Sequence, residues 1–208
     1  MKKVNFLYIS FVFILIYTSA FSQSNSQVLA GDKIFSVNYS LGIPNGSLHN
    51  FISNKMINGF NADVRSFITD KFAAGLSIGW NNFKEQYPRE TYPNGNGSYS
   101  SVRTKYLSTA PVMLTGFYHF TTNKKINPYA TAGAGIHLVT YNKWDGAFGD
   151  SKSSVKFGAR LGAGVLVPFT DTFGLNLTAR YNYAAFSYNE VKDIQYLDVS
   201  LGLYFISF

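Results

Sequence analysis

From Val155 to Val167 every odd position is apolar: Val155, Phe157, Ala159, Leu161, Ala163, Val165 and Val167. Between them stand Lys156, Gly158, Arg160, Gly162, Gly164 and Leu166. After a break at Pro168-Phe169-Thr170-Asp171 the alternation resumes, with Phe173, Leu175, Leu177, Ala179, Tyr181 and Tyr183 set against Gly174, Asn176, Thr178, Arg180 and Asn182. A period of two puts successive side chains on opposite faces of a strand, so the stretch predicts an antiparallel hairpin. One face carries no charge; the other carries lysine, two arginines and asparagines. A hydrated second face is also usual in soluble antiparallel sheets, so length decides. Each arm runs about 11 residues, against roughly 5–6 for an ordinary strand, and about 9–11 tilted residues cross a bilayer. The expectation is a membrane-spanning β-barrel, apolar outside and polar inside.

The same pattern recurs along the chain. Phe35, Val37, Tyr39 and Leu41 predict a first strand, followed by a loop over Gly42–Met56 that holds Pro44-Asn45-Gly46. Within that loop Leu48, Phe51, Ile52 and Met56 have the spacing of one amphipathic helical turn. The second strand turns Phe60, Ala62, Val64 and Ile68 outward and Asn61, Asp63, Arg65 and Phe67 inward. The third turns Ala74, Leu76, Ile78 and Trp80 outward, and a polar loop is expected over Asn82–Arg103. The fourth, Tyr106–Phe120, contains Pro111, which cannot donate to a ladder, so a bulge or an unpaired site is expected there. The fifth, Tyr129–Tyr141, precedes a loop expected over Tyr141–Ser153. The opening hairpin supplies strands six and seven, Ala185–Gln195 the last loop, and Tyr196–Phe208 strand eight.

Eight strands form an all-β, antiparallel, up-and-down transmembrane barrel with both termini at one rim. Connections after odd strands span about 11–22 residues and those after even strands about 4–7, as long outer loops and short periplasmic turns do. Aromatics gather at the strand ends: Trp80, Tyr106, Tyr141, Tyr181 and Tyr183 near the long loops, and Phe35, Phe120, Phe173 and Phe205 near the short turns. Interfacial girdles are so arranged. In strand eight the cleanest apolar face is the odd set Leu197 to Phe205, which turns Phe208 inward or calls for a bulge near Gly202.

Composition agrees in kind. Aromatics make up 17% of the 208 residues and charged residues only 14%, against about 25% usually. Mean hydropathy is near zero, because alternation hides the apolar face from any average. The absence of cysteine excludes a disulfide scaffold, thiolate metal ligands and a cysteine-anchored lipoprotein. Residues 1–22 read as a secretory signal: Lys2-Lys3, an apolar run from Phe6 to Tyr17, and Ala20-Phe21-Ser22 as cleavage site. That run is shorter than the ~20 residues of a spanning helix. The mature domain, 23–208, keeps 16 basic and 11 acidic residues, a net +5, scattered rather than clustered as nucleic-acid binding requires.

An exported chain with eight such strands, alternating connections and a final strand bearing Gly202, Tyr204, Ile206 and Phe208 resembles the outer-membrane β-barrel proteins of Gram-negative bacteria. It looks most like the small porin-like domain related to the OmpA transmembrane domain and OmpX. The resemblance implies location in the cell outer membrane, contact with its lipid and lipopolysaccharide, and a monomeric state. It also implies an assembly signal at Tyr204 and Phe208, read by the barrel-assembly machinery.

The inward charges are Asp63, Arg65, Lys156, Arg160, Arg180 and Asp198. An unpaired charge in a confined interior costs several kcal/mol, so Asp63 and Asp198 are expected to counter Arg160 and Arg180 in a network that fills the lumen. The alternative is a basic constriction that selects anions. Eight strands leave room for little but side chains, and Gly158, Gly162, Gly164 and Gly174 are expected to make space for the long arginines and lysine. No cofactor, metal or catalytic site is expected. An enzyme of lipid acyl chains would need a Ser–His pair; His49 has Ser47 and Ser53 nearby but no carboxylate close in sequence to orient it, while His119 and His137 point inward. Tyr87, Tyr92 and Tyr99 among Asn, Gly and Ser give the second loop a recognition character, and Lys84, Arg89, Arg103, Lys105 and Lys143 suit phosphorylated outer-leaflet lipid. A secreted lipocalin-like barrel would need an apolar interior, which Arg65, Arg160 and Arg180 oppose.

Overall fold

The computed structural model describes residues 30–94, 97–121, 126–146 and 148–207, with only the backbone for 91–94 and 97–99. The leader 1–22 and Phe208 lie outside them. Ten strands and one short helix follow in order: β1 (Lys33–Asn45), α1 (Gly46–Phe51), β2 (Met56–Phe67), β3 (Phe72–Gln86), β4 (Glu90–Asn94), β5 (Gly97–Ser101), β6 (Arg103–His119), β7 (Asn127–Asp145), β8 (Phe148–Pro168), β9 (Phe173–Ala184) and β10 (Ile194–Ser207). Eight of them close an antiparallel barrel in the order β1-β10-β9-β8-β7-β6-β3-β2, and β4 and β5 make a separate hairpin. The all-β, eight-stranded, up-and-down barrel read from the pattern is therefore the fold.

Alternation sorts the side chains as expected. Leu76, Leu114, Leu161 and Leu201 are 57%, 68%, 65% and 54% exposed on the outside, while Asp63, Arg65, Arg160, Arg180 and Asp198 are at most 1% exposed on the inside. A water-soluble barrel would bury the leucines. The closing pair β1–β10 runs unbroken from Lys33↔Ser207 to Asn45↔Gln195, so strand eight has no bulge near Gly202. Its odd residues face out and Tyr204 faces in. At Pro111 the β3–β6 ladder lapses between Ile78↔Val112 and Asn81↔Thr109 and resumes in the same register. The proline sits at an unpaired site, without a bulge, and β7 still pairs with it through His137.

Three expectations need correction. The stretch Tyr141–Ser153 is not a loop: β7 and β8 continue through it as one long hairpin, paired to Asp145↔Phe148. Likewise β1 continues to Asn45, and β3 and β6 pair to Gln86↔Thr104. The sequence hid these extensions because their amphipathicity inverts. Outward positions there are Asn82, Lys84, Thr140, Ser151 and Ser153, whereas inward Phe83, Leu107, Val139 and Tyr141 are fully or almost fully buried. Tyr141 accordingly leaves the expected girdle; it shares the parity of Tyr129 and His137 and stacks on Phe51 inside, with ring centroids 4.8 Å apart. The third correction concerns the inward glycines. A Cβ on Gly158 would strike His137 and the Tyr183 carbonyl, on Gly164 the Tyr129 ring, and on Gly174 the Val167 carbonyl and then Tyr204; only at Gly162, after the Ala179 carbonyl, is the displaced side chain an arginine, Arg180. The glycines make room for rings and for the backbone of the neighbouring strand, and at Gly162 for an arginine as well.

The lumen is thus stratified. At the rim where β2 meets β3 and β8 meets β9 (68–71 and 169–172), Ile34, Phe67, Ala73, Phe117, Tyr129, Leu166 and Tyr204 form one apolar cluster. At the opposite rim Leu48, Phe51, Ile52 and Met56, carried in by α1 and the residues after it, pack against Phe83, Leu107, Tyr141 and Tyr196 in a second. Between the two lies the polar layer.

Candidate functional site

Each side chain of the polar layer is aimed by the parity of its strand. Asp63 on β2 sits at its centre. Arg180 of β9 donates to Asp63 Oδ2, Ser77 Oγ to Oδ1 at 2.5 Å and Ser36 Oγ to Oδ2 at 3.2 Å. The carboxylate is thus held by one cation and two hydroxyls, which offsets much of its desolvation. Asp198 lies opposite Arg180 in the β9–β10 register, yet its contact is with Asn61, whose Nδ2 donates to Oδ2 at 2.8 Å. Arg160 donates through Nε to Asn182 Oδ1 at 2.7 Å. Among the described residues, the Asp63–Arg180 contact is the one ion pair in the lumen; Asp198 and Arg160 face neutral amides instead.

Arg65 is placed differently. Its guanidinium carbon lies 4.2 Å from the centroid of Phe117 and 4.6 Å from that of Tyr129, a cation between two ring faces. Neither ring is near Arg65 in sequence, so no local pattern announces the arrangement. Beside it Tyr129 donates to Asn176 Oδ1 at 2.7 Å and Asn176 Nδ2 to Asn38 Oδ1 at 2.9 Å, a run of amides that ties β7, β9 and β1. Lys156 faces inward but is only half-buried, opposite His137. Tyr204 is buried at the short-turn rim.

Among the described residues no hydrogen bond joins a histidine to a serine. His49 is exposed on α1, Ser47 Oγ donates to the Asp193 carbonyl at 2.6 Å and to Asp193 Oδ1 at 2.8 Å, and Ser53 Oγ donates to Glu85 Oε1 at 2.8 Å. Ser47 pins α1 to the 185–193 connection, and Ser53 pins the residues that follow α1 to β3. His119 Nδ1 pairs with Asn127 Oδ1 at 2.8 Å and His137 Nδ1 with Thr109 Oγ1 at 2.9 Å, both inside the barrel. Among the described residues no group of His, Asp and Glu is placed to hold a metal ion.

At the rim of α1 the basic residues divide. Lys143 and Lys105 pair with Glu190 at 2.5 and 3.6 Å, and Arg103 with Asp145 at 2.9 Å; Lys84 and Arg89 are exposed. The hydrogen bond from Lys143 holds the Glu190 carboxyl below the usual carboxylate range. Tyr188 donates to Asp150 at 2.8 Å, which raises its phenol above the usual value. Lys105 also lies over the Phe51 and Tyr87 rings, 5.0 and 5.5 Å from their centroids. Tyr92 and Tyr99 pair in the β4–β5 backbone register.

No curated protein matches the chain. Among solved structures, the outer membrane protein OprG of Pseudomonas aeruginosa superposes with a TM-score of 0.54 at 12% identity, covering 87% of this chain and 98% of its own. Neisserial surface protein A superposes with a TM-score of 0.50 at 17% identity, covering 85% and 97%. At such identities the likeness is one of fold. The family described as the outer membrane protein beta-barrel domain matches residues 13–205, nearly the whole chain. The chain therefore belongs to the outer membrane β-barrel domain family, and its place is the outer membrane.

Proposed function

We propose that this barrel closes its own lumen and serves the outer membrane as a structural, porin-like scaffold that presents its longer connections at the cell surface. One observation carries the reading: the polar layer is bounded at both rims by buried apolar clusters, the upper one completed by Leu48, Phe51 and Ile52. A continuous water path would have to cross both, and ions do not cross dry apolar constrictions. Single-channel recording of the purified protein in planar bilayers tests this. Silence is expected, and steady openings would overturn it.

In the same reading residues 1–22 are removed on export, Tyr204 and Phe208 present the last strand to the barrel-assembly machinery, and the mature barrel is a monomer. Lys84 and Arg89 are the cations with which it meets lipopolysaccharide, since Arg103, Lys105 and Lys143 face carboxylates. Catalysis is not part of the proposal, given the separate engagements of Ser47 and Ser53. Lipid deacylation lost in a His49→Ala variant would reinstate it.

A surface-recognition role is favoured by one feature. Beyond the Gly158↔Ala184 pair β8 continues to Phe148 on β7 alone, so one side of the barrel wall stands higher than the other. Whole-cell binding with and without residues 142–152 tests that role, and equal binding by the two would dismiss it.

A further inference from the structure

Five buried charges run through the polar layer in alternation: Arg65, Asp63, Arg180, Asp198, Arg160. Asp63 bonds Arg180 and lies in the field of Arg65; Asp198 lies in the fields of both Arg180 and Arg160. The row therefore ends in a cation on each side and carries one positive charge in excess. Its two ends differ. Arg65 is covered by the faces of Phe117 and Tyr129. Arg160 has only Asn182 at Nε, and its two terminal nitrogens, fully buried, meet no acceptor among the described residues. The Tyr196 hydroxyl is near Arg160 but outside hydrogen-bond geometry, and accepts from Asn81 at 3.0 Å.

Two more donors flank that end. Moving along β8 on the same face, Gly158 has no side chain and Lys156 follows, with no carboxylate at ion-pair distance among the described residues. The edge of the His137 ring lies against Gly158, its Nε2 only 2.7 Å from where a Cβ would stand. His137 Nδ1 pairs with Thr109 Oγ1 at 2.9 Å, and Nε2 meets no partner among the described residues; the site requires the tautomer in which Thr109 donates and Nε2 carries the proton. Lys156, Gly158 and Arg160 thus follow one another on the inner face of β8, with the His137 ring of β7 packed against the glycine. The half-buried Lys156 marks an approach, since the β8–β9 pairing ends at Gly158↔Ala184.

We propose that the lumen holds a binding site for a small monovalent inorganic anion at the unpartnered terminal nitrogens of Arg160, with His137 and Lys156 on the same inner wall. One such ion neutralises the excess charge of the row and gives the unpartnered guanidinium nitrogens an acceptor. The site is a dead end approached beside the half-buried Lys156, where the β8–β9 pairing stops, and not a segment of a conducting path through the two apolar clusters, so it stands apart from whether the barrel conducts.

Bromide is the probe. The mature barrel in detergent micelles is heated in gluconate exchanged stepwise for bromide at constant ionic strength. A ligand that binds the folded state raises the unfolding temperature saturably. A saturable rise is expected, lost in Arg160→Gln and several-fold weaker in apparent affinity in Lys156→Gln, with an anomalous bromide peak beside the Arg160 guanidinium in crystals. Indistinguishable curves in bromide and gluconate would overturn the site, as would a bromide response unchanged in either variant. Should Arg160→Gln fail to fold, Lys156→Gln decides alone: weakened affinity upholds the site, and unchanged affinity refutes it.

Discussion

Replacing Asp63 by asparagine keeps the shape of the side chain and removes its charge. In the wild type the carboxylate is fully buried and bonded to Arg180, Ser77 and Ser36. The variant leaves Arg180 and Arg65 without the carboxylate nearest them, in a layer closed off by apolar side chains. Breaking one partner out of a buried ion pair costs about 3–5 kcal/mol, a factor of roughly a thousand in the folding equilibrium at 1.4 kcal/mol per decade. The rim pair Arg103–Asp145 is the internal control. Its nitrogen and oxygen are 2.9 Å apart, but the side chains are 33% and 22% exposed, so Asp145→Asn should cost no more than about 1 kcal/mol. Equilibrium urea unfolding in lipid vesicles, followed by the emission of Trp80 and Trp144, measures both. The double variant Asp63→Asn, Arg180→Gln should lose less than the two single variants together, because the second change removes the charge stranded by the first. A cost for Asp63→Asn as small as that for Asp145→Asn, with additive single variants, would refute the view that this pair organises the lumen.

Three further outcomes follow from the geometry. Gly164→Val would place its Cβ 2.5 Å from Tyr129 Cζ; overpacking of about 1–3 kcal/mol is expected, against a few tenths for Ala159→Val on the lipid face, both read by urea unfolding. Leu161→Arg puts a cation on the lipid-facing surface, and a loss of about 2–4 kcal/mol in vesicles is expected if that position is near the bilayer midplane, with a much smaller loss in detergent. The depressed Glu190 carboxyl stabilises the 185–193 connection at pH values above the ordinary carboxylate pKa, and that contribution disappears as pH falls through the lower folded value. Hydrogen exchange of residues 185–193 should therefore quicken on acidification, and Glu190→Gln should abolish that step.

The membrane-facing half of the fold was legible because lipid imposes one rule on every outward position. Leu76, Leu114, Leu161 and Leu201 obey it, and their inward neighbours Asp63, Arg160 and Arg180 follow by parity. Above the bilayer the rule no longer holds. There Thr140 and Ser153 face out while Val139 and Tyr141 face in, so the strands looked like loops. The helical turn at Leu48, Phe51 and Ile52 was visible as a spacing, but nothing local tells that it turns into the barrel mouth. The charge network shows a similar division. Which residues enter the lumen is a matter of alternation, whereas which of them meet depends on closing the ring. Asp63 and Arg180 are far apart in sequence and their strands, β2 and β9, are not neighbours. The cradle of Arg65 between Phe117 and Tyr129 is equally a product of closure.

The account stands on the direction of alternate side chains, and the cysteine-free chain allows that to be read position by position. Single cysteines placed one at a time from Leu175 to Tyr183, carrying a nitroxide in lipid vesicles, report collisions with membrane-dissolved oxygen. High oxygen contact at positions 175, 177, 179 and 181, alternating with low contact at 176, 178, 180 and 182, is the predicted result. Uniform contact along the segment, or the opposite phase, would contradict it.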